Sequence, residues 1–265
     1  MWNVVGHKIN KIYFEKVVKN DHLDHAYLFS GTEMIGKKTF AQELIKLLNN
    51  RPFENNPYYR LFANSIEDAR ALKAFLSIKP YYGPYKVAVI DDAEKLTIEA
   101  ANAMLKILEE PSSSSIIILV SAWPKLLPLT ILSRCQEIKF KPLSGTELNS
   151  FIPAKLKTDE KIELAGMALG RPGWVFRNKD RLGAIKNSIA EFNKILGQGI
   201  FEKIQYATGL HESENFQELI SNLIYWHNSQ AKNPKLLKGL LRLSKIISQP
   251  QYNRRLALEN FLLSI

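Results

Sequence analysis

The chain has 265 residues, 46% of them apolar, and 36 Lys and Arg stand against 26 Asp and Glu for a formal net charge of +10. That apolar content is enough for a sizeable core and excludes wholesale disorder, while the basic excess favours polyanionic partners such as nucleic acid and is weak support for them taken alone. A lone cysteine, Cys135, excludes an intramolecular disulfide and a cysteine-based zinc site, and no stretch approaches the roughly 18 apolar residues of a membrane span. The opening MWNVVGHKINKIYFEK lacks the apolar core of a signal peptide, so a cytoplasmic protein with no membrane partner is expected.

In residues 1–25, Val4, Ile9, Ile12, Phe14 and Val17 recur at helical spacing. AYLF (26–29) ends at a glycine turn and reads as a buried strand. FAQELIKLL (40–48) is a helix with Phe40, Leu44, Leu47 and Leu48 on one face. NNRPFENNP (49–57) is a loop and YYRLF (58–62) a candidate strand. SIEDARALKAFLSIKP (65–80) is an amphipathic helix on which Ser65 and Asp68 resemble a capping box. KVAVIDD (86–92) is an apolar strand ending in two acids. Thr97 caps the next helix, with Ile98, Ala101, Met104, Leu105 and Leu108 toward the core, and Pro111 with four serines ends it. IIILVS (116–121) and EIKF (137–140) are further strands. Strands alternating with helices imply a parallel sheet covered on both faces. After Pro142 the pattern changes to short helices broken at Gly170, Pro172 and Gly173. From about residue 180 only helices are expected, with turns at Gly197 and Gly199, at Gly209 and at Asn233-Pro234.

GTEMIGKKT (31–39) nearly spells a phosphate-binding loop, placed between a strand and a helix as such a loop requires. Gly31 and Gly36 let the backbone fold around phosphate oxygens, which meet N–H groups and the following helix N-terminus. Lys37 would reach the β- and γ-phosphates. The next residue normally supplies a hydroxyl to Mg²⁺. Here it is Lys38, and Thr39 comes one place late, about 100° around the helix. In VAVIDDAEKL (87–96) Asp91 is the candidate metal-holding acid. Asp92 stands where ATPases of this kind carry a water-activating Glu, and a carboxylate about 1 Å short loses ~10²-fold in rate. A solvated acid pair at a strand end is the bland alternative. Arg134, in LTILSRCQEIKF (129–140), lies in a short loop before a strand, where an arginine can point at a neighbouring subunit's ATP; read alone it is a surface arginine. The five histidines form no metal-ligand spacing and are taken as structural or surface, no metal site is expected, and Cys135 reads as a packed small hydrophobe. Trp2, Trp123, Trp174 and Trp226 are scattered and read as packing residues.

HAYLFSG (25–31), DDAEKLTIEAANAMLKILEEP (91–111), LTILSRC (129–135) and GRPG (170–173) together resemble the clamp-loader subunits of the AAA+ class, most closely the delta-prime subunits of bacterial DNA polymerase III. The resemblance covers residues 1 to about 178; the C-terminal third is similar only in length and helical character. It implies a P-loop α/β domain with a parallel sheet over 1–142, a small helical lid over 143–180 and an all-helical collar over 181–265. In that family five subunits form a spiral held by their collars, and ATP-bound motors open the sliding clamp and place it on primer–template DNA. The delta-prime member does not hydrolyse ATP but donates the arginine of Ser-Arg-Cys to a neighbour. Carried over, the arginine finger is Arg134, the degenerate nucleotide site is Gly31, Gly36, Lys37, Lys38, Thr39, Asp91 and Asp92, and the sensor positions hold Ser121 (or Ala122) and Gly173, the latter where motors place a lid arginine. The implied partners are tau/gamma and delta subunits in a hetero-pentamer, the clamp and DNA. The departures Lys38, Asp92, Gly173 and Ser121 agree on a site released from hydrolysis, while Gly31, Gly36 and Lys37 leave binding of ATP or ADP with Mg²⁺ open. The four-cysteine zinc module of many relatives is missing, since residues 49–58 contain no cysteine, and no zinc is expected. An active tau/gamma-like ATPase subunit is the alternative, and a different AAA+ protein such as a helicase loader the third reading.

Overall fold

The structure is a computed structural model and describes residues 2–49, 59–62, 65–80, 83–213, 215–230, 233–249 and 252–265; all but the first residue of the loop expected over 49–57 lies outside these. The chain divides into two compact units, residues Met1–Glu147 with Gly170–Gly173 and residues Leu148–Leu169 with Trp174–Ile265.

In the first unit the apolar runs form one sheet of β1 (Ala26–Ser30), β2 (Tyr59–Phe62), β3 (Lys86–Ile90), β4 (Ser115–Ser121) and β5 (Gln136–Lys139). Its order is β2-β3-β4-β1-β5 and every neighbouring pair is parallel, with Phe29 opposite Val120 and Ala88 opposite Ile117. β1, β3 and β4 are buried along their whole length because both faces are covered. Alternate side chains feed two cores. Leu28, Ala88, Ile90, Ile117 and Leu119 pack with α3 (Ile66–Ser77), α4 (Ile98–Glu109) and α5 (Leu129–Leu132). Tyr27, Phe29, Val87, Val89, Ile116, Ile118 and Val120 pack with α1 (Lys8–Lys19) and α2 (Lys37–Asn49). Ser65 caps α3 by accepting the Asp68 N–H at 3.2 Å, and Thr97 caps α4 by accepting the Ala100 N–H at 3.1 Å, as their positions predict.

Several faces are rotated from those the spacing suggested. Ile9 and Ile12 of α1 are exposed and Phe14 is the buried residue of that helix. Leu47 of α2 is exposed while Ile45 is buried. In α4, Ile98 lies outside at 77% exposure, and Ala100 and Ile107 join the core instead. Residues 98 and 47 sit at helix ends, where a helix leaves the sheet it covers and an apolar residue loses its cover. Trp123, expected to pack, is exposed.

The second unit is helical. It holds α7 (Thr158–Ala168), α9 (Leu182–Leu196), α10 (Ile200–Leu210), α11 (Phe216–Gln230), α12 (Pro234–Ile247) and α13 (Arg254–Leu263); α6 (Gly145–Leu148) and α8 (Pro172–Asn178) lie where the chain passes between units. α11 packs on α7, α9 and α12, and α13 on α10 and α12. Phe192, Ile220, Leu223, Leu240, Leu258 and Leu262 are fully buried. Asn233 caps α12 by accepting the Leu236 N–H at 3.0 Å, and Pro234 occupies its first turn, where a missing N–H costs nothing. Gly209 lies one residue before the end of α10 and the chain turns just after it, and Gly170 lies in the break between α7 and α8, whereas Pro172 and Gly173 begin a helix rather than break one, since the first turn of a helix has no intrahelical partner for a proline nitrogen.

Candidate nucleotide cradle and exposed arginine

The loop from Gly31 to Gly36 leaves the carboxyl end of β1, Asp91 follows β3, and Ser121 ends β4. Because β4 lies between β1 and β3, all three meet at one edge of the sheet, the edge at which open parallel sheets bind ligands. An aromatic cluster anchors the helix that follows the loop. Phe40 of α2 stacks on Trp2 at 4.6 Å between ring centroids and packs edge-on against Phe140 at 5.1 Å and Phe29 at 5.8 Å, so the start of α2 is fixed to β1 and to the residue after β5.

Gly31 has φ +146°, and a Cβ there would stand 2.4 Å from the Phe140 carbonyl oxygen, so this position accepts only glycine. Met34 and Gly36 also have positive φ, curling the backbone into the concave shape that presents N–H groups to an anion. Lys37 is 6% exposed and donates to the Gly31 and Thr32 carbonyls at 2.6 and 2.7 Å, so its ammonium lies inside the curl. Burial pushes its pKa below the usual lysine value, opposed by Glu94, Glu33, Asp91 and Asp92 in that order. An incoming phosphate would offset this lost hydration by placing negative charge beside the ammonium.

The metal side differs. Lys38 Nζ lies 3.0 Å from Asp91 Oδ2, and Asp91 Oδ1 accepts the Asp92 N–H at 3.1 Å, so both carboxylate oxygens are engaged. Thr39 is exposed on α2. The residues therefore do not fit Mg²⁺ in the manner of a working loop. The hydroxyl is displaced around the helix and an ammonium stands on the acid. The half-exposed Lys38–Asp91 pair is itself worth under about 1 kcal/mol, so the missing hydroxyl ligand counts for more than the strength of the pair.

Asp92 is turned away from this work. Its backbone is left-handed, with φ 48°, and its carboxylate meets Lys95 at 2.6 Å, a bond that holds the Lys95 pKa above its ordinary value. Ser121 is buried and accepts the Trp123 N–H at 3.1 Å, closing its own turn. Gly173 donates its N–H to the Met34 carbonyl at 2.9 Å, and a Cβ at 173 would meet Met34 at 3.0 Å. A side chain here would press on Met34, which would have to give by a few tenths of an ångström.

Some residues of the site were not visible in the sequence. Glu94 accepts the Ala122 N–H at 3.1 Å through Oε1, while its Oε2 is buried with no hydrogen-bond partner among the described residues. Its position three residues after Asp91 was the available signal, and among the carboxylates it acts most strongly on Lys37. His7, read as structural, binds the Ile35 carbonyl at 2.8 Å and so supports the loop from α1's side. Among the described residues no three His, Cys, Asp or Glu side chains converge as a metal-ligand group.

Arg134 follows α5 and faces outward. Its Nη2 meets Glu109 Oε1 at 2.7 Å, and Nη1 donates to the Thr130 carbonyl at 2.9 Å and Ser133 Oγ at 3.3 Å. Neighbouring Cys135 is partly buried against the α4 side of the sheet, and burial pushes its thiol up to about 12, which suits packing and not nucleophilic chemistry.

Sheet order, loop and flanking acids together define a P-loop α/β domain of the AAA+ class. Residues 62–144 match the sequence family described as DNA polymerase III, delta subunit. Over 69% of the chain it is 31% identical to the DNA polymerase III subunit tau/gamma of Haemophilus influenzae, a match that covers 29% of that protein. Over 53% of the chain it is 32% identical to the DNA polymerase III subunit delta' of Bacillus subtilis, a match that covers 49% of that protein. The chain thus spans less than half the length of these relatives. Among solved structures, a gamma subunit-related protein of DNA polymerase III from Thermotoga maritima superposes over 95% of this chain and 97% of its own, with TM-score 0.55 and 18% identity, a likeness of fold. Over the matched stretches the chain is similar to DNA polymerase III subunits of the tau/gamma and delta' kinds.

Proposed function

We propose that this chain is a delta-prime-like clamp-loader subunit, a cytoplasmic partner of tau/gamma and delta subunits that helps place the sliding clamp on primed DNA without hydrolysing ATP itself. The observation that carries the reading is the Lys38–Asp91 pair, with Asp92 held by Lys95: the two acids that a motor needs for metal and water are both engaged by lysines. Gly173, packed closely on Met34, supports it, since the position offers no side chain to act as a lid arginine. In this reading residues 143–180 act as the lid, 181–265 as the assembly collar, and Arg134 works outside its own chain on a neighbour's ATP. A trans arginine of this kind is worth roughly 10³–10⁵ in rate in GTPase examples. The +10 charge supports contact with DNA phosphates, a contact that would weaken steeply with salt.

A second reading, an active tau/gamma-like ATPase, is favoured by the tau/gamma relatives and by the intact cradle of Gly31, Gly36 and Lys37. The purified chain decides between them. ATP turnover by the chain alone, lost on Lys37→Ala, establishes the second reading; no turnover alone, with a rise in the ATPase of an assembled loader, establishes the first.

A further inference from the structure

We infer that the cradle takes the phosphates of a nucleoside diphosphate or triphosphate without a divalent cation, the Lys38 ammonium on Asp91 standing where the metal's charge would be. Polyphosphate in a P-loop needs positive charge on two sides, from the loop lysine and from the ion held by the strand acid. Here the first is Lys37, buried and bonded to the Gly31 and Thr32 carbonyls. On the second side, consecutive in sequence and on the first turn of the 13-residue helix α2, Lys38 reaches Asp91 at 3.0 Å. Both Asp91 oxygens already carry a partner, Oδ1 the Asp92 N–H and Oδ2 the Lys38 ammonium, so an ion would have to share this carboxylate with a lysine. Asp92, the next acid, is held by Lys95. The curled backbone with positive φ at Gly31, Met34 and Gly36 is kept, so the anion-facing half of the site survives intact while the cation-facing half is rebuilt from protein. A nucleotide held this way lacks the metal that polarises the transferring phosphoryl group, and serves as a fixed part of the fold.

The inference rests on the reading of a non-hydrolysing cradle, and the two fail separately: turnover by the chain alone overturns the reading, whereas metal-dependent binding overturns the inference and leaves the reading standing. The test is a fluorescence titration of the full chain with mant-ADP, in MgCl₂ and in EDTA. Dissociation constants that agree within about twofold are expected. Lys38→Thr, which puts the hydroxyl back after Lys37, is expected to weaken binding in EDTA by about tenfold or more, with recovery on adding Mg²⁺. Wild-type binding that tightens about tenfold with Mg²⁺ overturns the inference. So does a Lys38→Thr chain that binds in EDTA as well as the wild type, and so does absence of binding in both buffers by protein that melts cooperatively.

Discussion

Glu109, the last residue of α4, and Arg134, beyond the end of α5, are joined at 2.7 Å across 25 positions of sequence. Both side chains are partly exposed, so the bond fixes where the guanidinium sits without contributing much to folding. Glu109→Ala is predicted to change unfolding free energy by less than about 1 kcal/mol, measured by urea titration. A loss above about 2 kcal/mol would make the pair structural and weaken the case for an arginine poised outward.

Glycine positions separate loop geometry from helix propensity. Gly31→Ala places a methyl 2.4 Å from the Phe140 carbonyl at φ +146°, and is predicted to cost roughly 2–4 kcal/mol. Gly183, exposed in α9, has nothing within 4 Å of its added Cβ, so Gly183→Ala is predicted to stabilise by roughly 0.5 kcal/mol. Thermal midpoints of the two variants should move in opposite directions.

Burial lowers the pKa of His7, offset in part by its bond to the Ile35 carbonyl, and burial also lowers that of His227, whose Nε2 has no hydrogen-bond partner among the described residues. A histidine whose folded value lies below its unfolded one takes up protons on unfolding. Stability therefore rises with pH through the window just below 6.5 and is lost as pH falls through it. The wild type should lose stability between about pH 7 and pH 5.5, and a His7→Gln, His227→Gln double variant should lose less. Equal slopes in the two proteins would remove both histidines from the account.

Lys37 is buried with its charge disfavoured, and the same linkage runs at the alkaline end. Its folded pKa lies below the unfolded value, so stability increases as pH rises through the window below about 10.5. Lys37→Met removes that charge cost together with two hydrogen bonds to carbonyls. A net change under about 1 kcal/mol in stability is expected, with loss of mant-ADP binding by about 100-fold or more. Retained nucleotide affinity would displace Lys37 from the cradle.

How much of this was legible in the sequence differs by element. β1, β3 and β4 were readable because strands buried on both faces spell continuous apolar runs, and Ser65 and Thr97 announced the helix starts they cap, while Asn233 read only as part of a turn. The cradle was legible as spacing, since Gly31, Gly36 and Lys37 are separated by fixed intervals between a strand and a helix. The partners of its charges were not. Lys38 finds Asp91, and Arg134 finds Glu109, only once the sheet order brings distant segments together. Asp92 read as a shortened catalytic acid, yet the left-handed backbone at φ 48° aims it at Lys95. The closed contact of Gly173 with Met34 depends on a fold-back that no local pattern encodes.

The central claim is that this chain acts on a neighbour's ATP through Arg134 and hydrolyses none of its own. The most direct measurement is the DNA-stimulated ATPase of a loader reconstituted with tau/gamma- and delta-type subunits, with Arg134→Ala compared against the wild-type chain. The account predicts assembly of the variant at wild-type yield and an ATPase lowered several-fold; an assembled complex whose ATPase is unchanged by Arg134→Ala would contradict it.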